Sequence, residues 1–145
     1  MQYLDLLFLS AIPVIELRGA IPMGILSGLN PILVYIVCVI GSTMISIPLV
    51  LTFRHILHTL KRFKIFYKIG YKIDNTINKK MRKLRSLSIM GIALFVGIPL
   101  PTTGSWSASV MASMLNMRLK YAFLGVLFGN LLSGIIISLV TLHLI

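Results

Sequence analysis

The chain has 145 residues, of which 57% are hydrophobic and only 12% are charged, and its mean hydropathy is +0.97. These values exclude an ordinary soluble domain, in which about a quarter of the residues are charged. Three stretches carry no charged residue, 19–53, 86–117 and 121–142, and each exceeds the roughly 20 residues that cross a hydrocarbon core. The sequence therefore predicts a single all-α integral membrane domain over residues 1–145.

Residues 1–30 are predicted to form a re-entrant helical hairpin and not a signal peptide, because they lack a basic leading region and a small-residue cleavage site. A short apolar arm, 3–12, precedes the interruption 13-PVIELRGAIP-22, and a second short arm follows it. Residues 31–53 then form one transmembrane helix. Cys38 lies in this apolar helix and is expected to pack there, without a disulfide or a metal pair.

The net charge of +11 is concentrated in one segment, since eleven of the fourteen lysine and arginine residues fall between Arg54 and Arg85. A basic loop between membrane segments follows the positive-inside rule, so residues 54–85 are predicted to be cytoplasmic. Apolar residues are interleaved with the cations from Ile56 to Leu84. We expect an amphipathic helix on the inner membrane surface that binds anionic lipid, and no nucleic acid partner.

Residues 86–117 repeat the pattern of the first hairpin, because Pro99, Pro101 and Gly104 interrupt them near the centre. At about 1.5 Å rise per residue each arm is about 20 Å long, too short for a hydrocarbon core of about 30 Å. The segment is therefore predicted to turn back inside the membrane, where irregular backbone must be buried in protein or line a cavity. Residues 119–143 form the second transmembrane helix.

The two halves of the chain align without a gap at an offset of 88 residues. The identical pairs include Pro13 and Pro101, Ala20 and Ala108, Met23 and Met111, and Gly41 and Gly129. A hairpin plus one crossing moves the chain across the bilayer once, so two such units have opposite orientations, as in the inverted repeats of secondary transporters. In this arrangement Arg118 and Lys120 share the cytoplasmic side with the basic segment, whereas four full crossings would place them outside. Charge therefore favours the re-entrant hairpins.

Glu16 and Arg18 are the only charged residues within the predicted membrane core, and they are the first candidates for a functional site. Pro13, Gly19 and Pro22 interrupt helix here, so an extended stretch is expected, which would turn both charged side chains to roughly one side. The two charges could simply neutralise each other and hold the hairpin together. As a functional pair, Glu16 would take up a proton or bind a cation, and Arg18 would hold an anion such as phosphate.

Helix ends could add to this anion-binding surface. Pro22 suits the first turn of the returning arm of the first hairpin, and Thr103 or Ser105 suits the cap of its counterpart. Both hairpins would then point a helix N-terminus, with its partial positive charge, at the membrane centre. The hydroxyls of Thr102, Thr103 and Ser105 could equally act as local caps only. Trp106 could anchor the chain at the lipid interface or line the cavity.

Small residues at four-residue spacing indicate faces where helices pack. They are Gly41, Ser42 and Ser46 in one span and Gly125, Gly129 and Ser133 in the other. Asn130 is the one polar side chain there that could reach the site. His55 and His58 could suggest a metal, but no third ligand accompanies them, and solvated histidines are the simpler interpretation. The sequence has no carboxylate pair, no nucleophile with a base and no phosphate loop, so neither an enzyme nor a cofactor is expected.

The motif 16-ELRGAIP-22, followed by 99-PLPTTGSW-106 and a second apolar span, resembles the bacterial family of small multi-drug export proteins over nearly the whole chain. That family in turn resembles the DedA membrane proteins. The likeness implies two re-entrant hairpins that meet at an acidic and a basic residue, and a role in polyprenyl-phosphate translocation and proton-dependent drug tolerance. The positions that it implies are Glu16, Arg18, Gly19, Pro22, Pro99, Pro101, Gly104 and Trp106. The second hairpin lacks the further arginine or acid of the DedA pattern.

These features predict a proton-coupled transporter or lipid flippase in the bacterial cytoplasmic membrane, whose amphipathic substrate passes between the two hairpin tips. The charged residues favour an anionic lipid headgroup, and the family name favours lipophilic drugs. The alternative is a non-transporting small membrane protein, holin-like or a scaffold, that acts through its basic surface helix. Two spans and two short hairpins enclose little volume, so a homodimer could complete the cavity.

Overall fold

The computed structural model describes residues 2–60, 89–99 and 104–144, and this part of the chain is helical with short turns. The helices are α1 (Tyr3–Ala11), α2 (Glu16–Leu26), α3 (Pro31–Met44), α4 (Ser46–Leu60), α5 (89–97), α6 (Ser105–Met114) and α7 (Leu119–Leu144). Two apolar helical runs are long enough to cross a membrane, Pro31–Thr59 and Leu119–Leu144. The prediction of an all-α chain is confirmed for the described residues.

Two parts of the predicted architecture lie outside the described residues. The first is the basic segment from 61 to 88, to which the predicted lipid-binding surface belongs. The second is the turn of residues 100–103, which includes Pro101, Thr102 and Thr103. Predictions that concern these residues stay predictions.

The turn between α1 and α2 is shorter than the sequence suggested. Ile12 is extended, with ψ of 135°, as a residue before a proline generally is, and α1 ends there. Glu16 then has a φ of +50°, a left-handed conformation that is rare outside glycine, and α2 begins at this residue. The expected extended stretch through Glu16 and Arg18 is therefore wrong, because the left-handed residue turns the chain and lets the helix start at once.

Pro22 lies inside α2 and not in its first turn, so this placement was also wrong. Proline has no backbone N–H, so one helical hydrogen bond is missing at Pro22, but the helix continues to Leu26. A helix therefore carries both charged residues of the first motif, with Gly19 between them and the proline.

The first long apolar run is interrupted once, at Ile45. Pro48 follows within one turn and has no N–H to donate to the Met44 carbonyl, so the helical hydrogen bonding cannot be regular there. The helix resumes as α4 and continues to Leu60. Arg54 and the residues after it, predicted to begin the surface segment, therefore still belong to this helix.

The inward faces of α2 and α6 repeat at the offset of 88 residues. The buried residues of α2 are Glu16, Leu17, Ala20, Ile21, Gly24 and Ile25, and their counterparts Gly104, Ser105, Ala108, Ser109, Ala112 and Ser113 are buried as well. Both helices also end alike. Gly28 and Asn116 are left-handed, with φ of 77° and 51°. After Gly28 the N–H of Leu29 donates to the Gly24 carbonyl, and after Asn116 the N–H of Met117 donates to the Ala112 carbonyl. The two helices are packed and capped in the same way although their sequences differ.

One glycine in each long helix allows that helix to lie close to the first helix of its own half of the chain. A Cβ on Gly41 of α3 would lie 2.6 Å from the Leu7 carbonyl oxygen of α1. A Cβ on Gly129 of α7 would lie 2.9 Å from the Ala93 carbonyl oxygen of α5. Side chains do not tolerate such distances from backbone atoms, so both close approaches require glycine.

The C-terminal part of α4 lies beside the turn between α6 and α7. The Nη2 of Arg54 donates a hydrogen bond to the Met117 carbonyl, directly before Arg118. The end of α4, from which the basic segment continues, and the start of α7 therefore lie at the same end of the helix bundle.

The outer faces of the long helices are apolar. Ile32, Ile36 and Ile40 of α3 and Phe128, Leu132 and Leu139 of α7 are all more than 40% exposed. Continuous exposed rows of large apolar side chains are unfavourable in water and are expected where a helix contacts lipid.

Candidate functional site

Glu16 joins the two halves of the chain. It is only 9% exposed, and its carboxylate accepts a hydrogen bond from the backbone N–H of Ser105, the first residue of α6. The preceding residue, Gly104, leaves room for this contact, because a Cβ there would overlap the carboxylate. A left-handed non-glycine residue costs about 1–3 kcal/mol, so the surrounding contacts must hold Glu16 in place. The carboxylate thus caps the positive end of α6.

Arg18 makes the complementary contact with α5. Its Nη2 donates to the carbonyl oxygens of Val96 and Ile98, each at 3.3 Å. These carbonyls lie at the C-terminal end of α5, just before Pro99, where the helix dipole is negative. Glu16 and Arg18 therefore each lie at a helix end of opposite partial charge, and both helix ends belong to the other half of the chain.

Trp106 makes the reverse contact, from the second half to the first. Its Nε1 donates to the carbonyl oxygen of Ala11, the last residue of α1, at 3.1 Å. Arg18 and Trp106 are 88 residues apart. Equivalent positions in the two halves thus bind the end of the other half's first helix, and the indole is half-buried at this contact.

A buried polar cluster adjoins Glu16. The Oγ of Ser105 lies 2.8 Å from the Oγ of Ser42, and the Nδ2 of Asn130 lies 3.1 Å from Ser105 Oγ and 3.0 Å from Thr43 Oγ1. All four polar residues are at most 2% exposed. The cluster links α3, α6 and α7 directly behind the Glu16 contact, and these hydrogen bonds offset the cost of burying the four polar side chains.

The cap of α6 differs from the prediction. Gly104 is the N-cap residue, and its N–H donates to Ser107 Oγ at 3.0 Å. Ser105 is already the first helical residue, so its assignment as a cap was wrong. The reason is that the carboxylate of Glu16 takes the place of a capping side chain, which leaves the Ser105 hydroxyl for the polar cluster.

The remaining predicted residues have packing roles or lie at the surface. Gly19 lies against Ile15, since a Cβ there would be 2.7 Å from the Ile15 side chain. His55 and His58 are exposed on α4. Cys38 is fully buried in α3.

Ser42 and Thr43 are site residues that the sequence interpretation missed, because Ser42 was assigned to helix packing only and Thr43 was not singled out. One signal could have found them. The repeat offset pairs Ser42 with Asn130, and residues related by a two-fold repeat can meet at its axis.

An apolar cavity of about 470 Å³ lies beside the Arg18 contact, between α2 and the second half of α7. Its walls are Pro22 and Leu26 of α2, Pro99, and five residues of α7 between Ile136 and Leu144. Pro22 is one helical turn from Arg18, and Pro99 follows the Ile98 carbonyl that Arg18 binds. The cavity therefore adjoins the C-terminal end of α5, which Arg18 binds.

In chemical terms, the described site contains one buried carboxylate, one guanidinium, and a cluster of hydroxyl and amide groups. Such a set can take up a proton and bind an anion.

Comparison with known proteins gives one match. A sequence profile of the family described as "Putative small multi-drug export protein" matches residues 16–136, which begins at Glu16 and covers most of the chain. No curated protein and no solved structure matches significantly. The family and the two apolar helices of spanning length identify a membrane protein. The chain belongs to the family of small multi-drug export proteins.

Proposed function

We propose that the chain is a secondary transporter or lipid flippase that moves an amphipathic substrate past the contact between the α1–α2 pair and the α5–α6 pair. The observation that carries the proposal is that both charged residues of α2 bind the other half of the chain, Glu16 at α6 and Arg18 at α5. Charges that only stabilised their own hairpin would have no need of these long-range contacts. Intramembrane ionisable residues usually serve transport or proton transfer.

In this proposal the two halves form an inverted repeat in the bacterial cytoplasmic membrane. Helices α1, α2 and α6 have 9, 11 and 10 residues, so each is about 15 Å long and too short to span the bilayer. The hydrogen bond from Arg54 to Met117 supports a re-entrant second pair, since it brings Arg118 to the end where the basic segment begins. Both positive regions then lie in the cytoplasm.

Glu16 couples the contact to protons. An ionised carboxylate is a strong acceptor for the Ser105 N–H at the positive end of α6, and a protonated carboxyl is a weaker one. Proton uptake therefore loosens the contact between the two halves, and proton release restores it. Arg18 attracts the anionic head of the substrate, whereas the family name points to lipophilic drugs as a second substrate class.

The test uses purified protein in proteoliposomes with an imposed proton gradient. Two probes separate the substrate classes, fluorescent phosphatidylglycerol for lipid flipping and ethidium for drug export. Glu16→Gln is expected to abolish the dependence on the gradient, and Arg18→Ala is expected to abolish transport of the anionic probe. The matched control is Asp5→Asn, because Asp5 is exposed and only accepts the Gln2 N–H at the start of α1.

Unchanged transport of both probes in folded Glu16→Gln and Arg18→Ala variants would sink the site assignment. If the wild-type protein moves neither probe, the transporter proposal fails and the non-transporting alternative, which acts through the basic surface, takes its place.

A further inference from the structure

We infer that Arg54 is a latch that keeps α4 closed against α6, and that its release opens a route to the site from the end of the bundle where Arg118 lies. This inference rests on the proposed function for its role in transport, and it adds how access to the site is regulated.

Helix α6 lies against α3 and α4 along a seam of constant register. Three hydrogen-bonded pairs cross this seam, and in each pair the two residues are 63 positions apart. The pairs are Ser42 with Ser105, Val50 with Ser113, and Arg54 with Met117. The seam begins at the residue whose N–H binds Glu16 and ends at Arg54. Parting the helices along it would therefore expose the Glu16 contact.

The part of the seam between its two ends is built so that it can open. Every buried residue of α6 is a serine or an alanine, so no large side chain of this helix has to leave a pocket. The hydroxyls of Ser109 and Ser113 donate to carbonyls of their own helix, at 2.6 and 2.7 Å. They keep these hydrogen bonds when α4 moves away, so the separation leaves neither hydroxyl without a partner.

Arg54 supplies the contact that opposes this opening. It is the only lysine or arginine of α4, and α6 has none. Its Nη2 donates to the carbonyl of Met117, a residue that is only 9% exposed, and a charged donor forms a stronger hydrogen bond than a neutral one. Its Nε is buried without a hydrogen-bond partner in the described part of the chain, which offsets some of this gain. The contact holds the seam closed but is poised for release.

The equivalent contact in the other half has no such arginine. The repeat places Leu142 of α7 at the position of Arg54, and Leu142 is 49% exposed. A leucine side chain cannot donate a hydrogen bond to a carbonyl, and the contact between α2 and α7 contains the cavity of about 470 Å³. The contact that has the arginine is closed and the one that lacks it is not, as a latch at Arg54 requires.

The experiment measures how fast a water-soluble methanethiosulfonate reagent labels Ser109→Cys. It uses the full-length protein with Cys38→Ser in phosphatidylcholine nanodiscs, where the reagent reaches both faces of the bilayer. Ser109 is fully buried between Ser105 and Ser113, so labelling requires the seam to part. Arg54→Leu, which introduces the residue found at the equivalent position of α7, should raise the rate several-fold. Arg54→Lys, which keeps a charged donor but not the guanidinium geometry, should give a smaller rise.

Two controls separate a latch from a general effect on the fold. Arg118→Ala removes a positive charge from the same end of the bundle, and since Arg118 is exposed, the labelling rate should not change. Ser133→Cys places the thiol at a buried position of α7 instead, and Arg54→Leu should not speed its labelling.

Two outcomes overturn the inference. One is an unchanged rate for Ser109→Cys in the Arg54 variants, and Arg54→Lys decides alone if Arg54→Leu does not fold. The other is an equal rise at Ser109→Cys and Ser133→Cys, because Arg54 would then stabilise the whole bundle. Transport is measured separately in proteoliposomes. Transport by the wild-type protein without an effect of Arg54 on labelling contradicts the latch alone, whereas faster labelling without any transport contradicts the proposed function alone.

Discussion

The contact of α2 with α7 and the contact of α6 with α4 occupy equivalent places in the two halves, yet they differ. Between α6 and α4, Ser113 Oγ donates to the Val50 carbonyl at 3.1 Å, Arg54 binds the carbonyl of Met117, and Val50 is 1% exposed. Between α2 and α7 lies the cavity of about 470 Å³. Helix faces with the same pattern of buried positions therefore pack closely between α6 and α4 and leave a cavity between α2 and α7.

The long helices account for the difference. Helix α7 is continuous over Leu119–Leu144, whereas the equivalent helix of the first half is interrupted at Ile45, within one turn of Pro48. The position equivalent to Pro48 in α7 is Ile136, which lines the cavity. Prolines permit a helix to change direction, and Pro48 lies in the first turn of α4, the helix that packs against α6. The proposed function has the substrate pass between the two halves, so we expect the close contact of α4 with α6 to open during transport.

The largest effect should follow from locking the closed contact. The Val50→Cys/Ser113→Cys double variant, and each single variant as a control, is oxidised during transport in a Cys38→Ser background, so that a disulfide can form between α4 and α6. Transport in proteoliposomes should be abolished in the oxidised double variant and should return when the disulfide is reduced. The Cys38→Ser background is needed because Cys38 is as deeply buried as Val50 and Ser113. Undiminished transport by the linked protein would mean that the α4–α6 contact never opens.

The next largest effect concerns the contact between Glu16 of α2 and the start of α6, which joins the two halves of the chain. Gly104→Ala should destabilise the protein by about 1–3 kcal/mol, because the new methyl group overlaps the Glu16 carboxylate and forces the two halves apart. Gly91→Ala is the matched control, since a Cβ there meets nothing within 4 Å. Thermal unfolding in detergent measures both variants. Equal melting temperatures would show that Glu16 does not hold the halves together as described.

The smallest expected effect compares the loss of one serine hydroxyl in the α4–α6 contact with the loss of one serine hydroxyl in α7. Ser113→Ala should cost about 1 kcal/mol, because it removes hydrogen bonds to the carbonyls of Val50 and Ser109. Ser138 of α7 is equivalent to Val50, and its buried Oγ has no hydrogen-bond partner within the described part of the chain. Ser138→Ala should therefore change stability by less than about 0.5 kcal/mol. A larger loss for Ser138→Ala than for Ser113→Ala would reverse the comparison.

Much of the helix layout could be predicted from the sequence, because prolines and uncharged runs act locally. Pro13 ends the first helix, the break before Gly104 separates α5 from α6, and the second span was predicted as 119–143 where α7 covers Leu119–Leu144. The orientation of the two halves in the membrane stays a prediction, since the structure contains no bilayer.

The site was harder to predict, because its geometry depends on contacts between distant segments. A left-handed Glu16 is unfavourable by itself, so no local rule predicts it, and only the contact with α6 explains it. The hydroxyls of Ser42 and Thr43 likewise have no local signature. They become site residues only when Ser105 and Asn130 come within hydrogen-bonding distance.

The central claim, that two oppositely oriented halves meet at Glu16, is tested most directly by the side of the membrane on which each half turns. Ser27→Cys lies after α2 and Lys120→Cys lies at the start of α7, and both positions are exposed. An impermeant maleimide is added to intact cells and then to permeabilised cells. The account predicts that Ser27→Cys is labelled from outside and Lys120→Cys only after permeabilisation. External labelling of Lys120→Cys, or labelling of both positions from the same side, would contradict it.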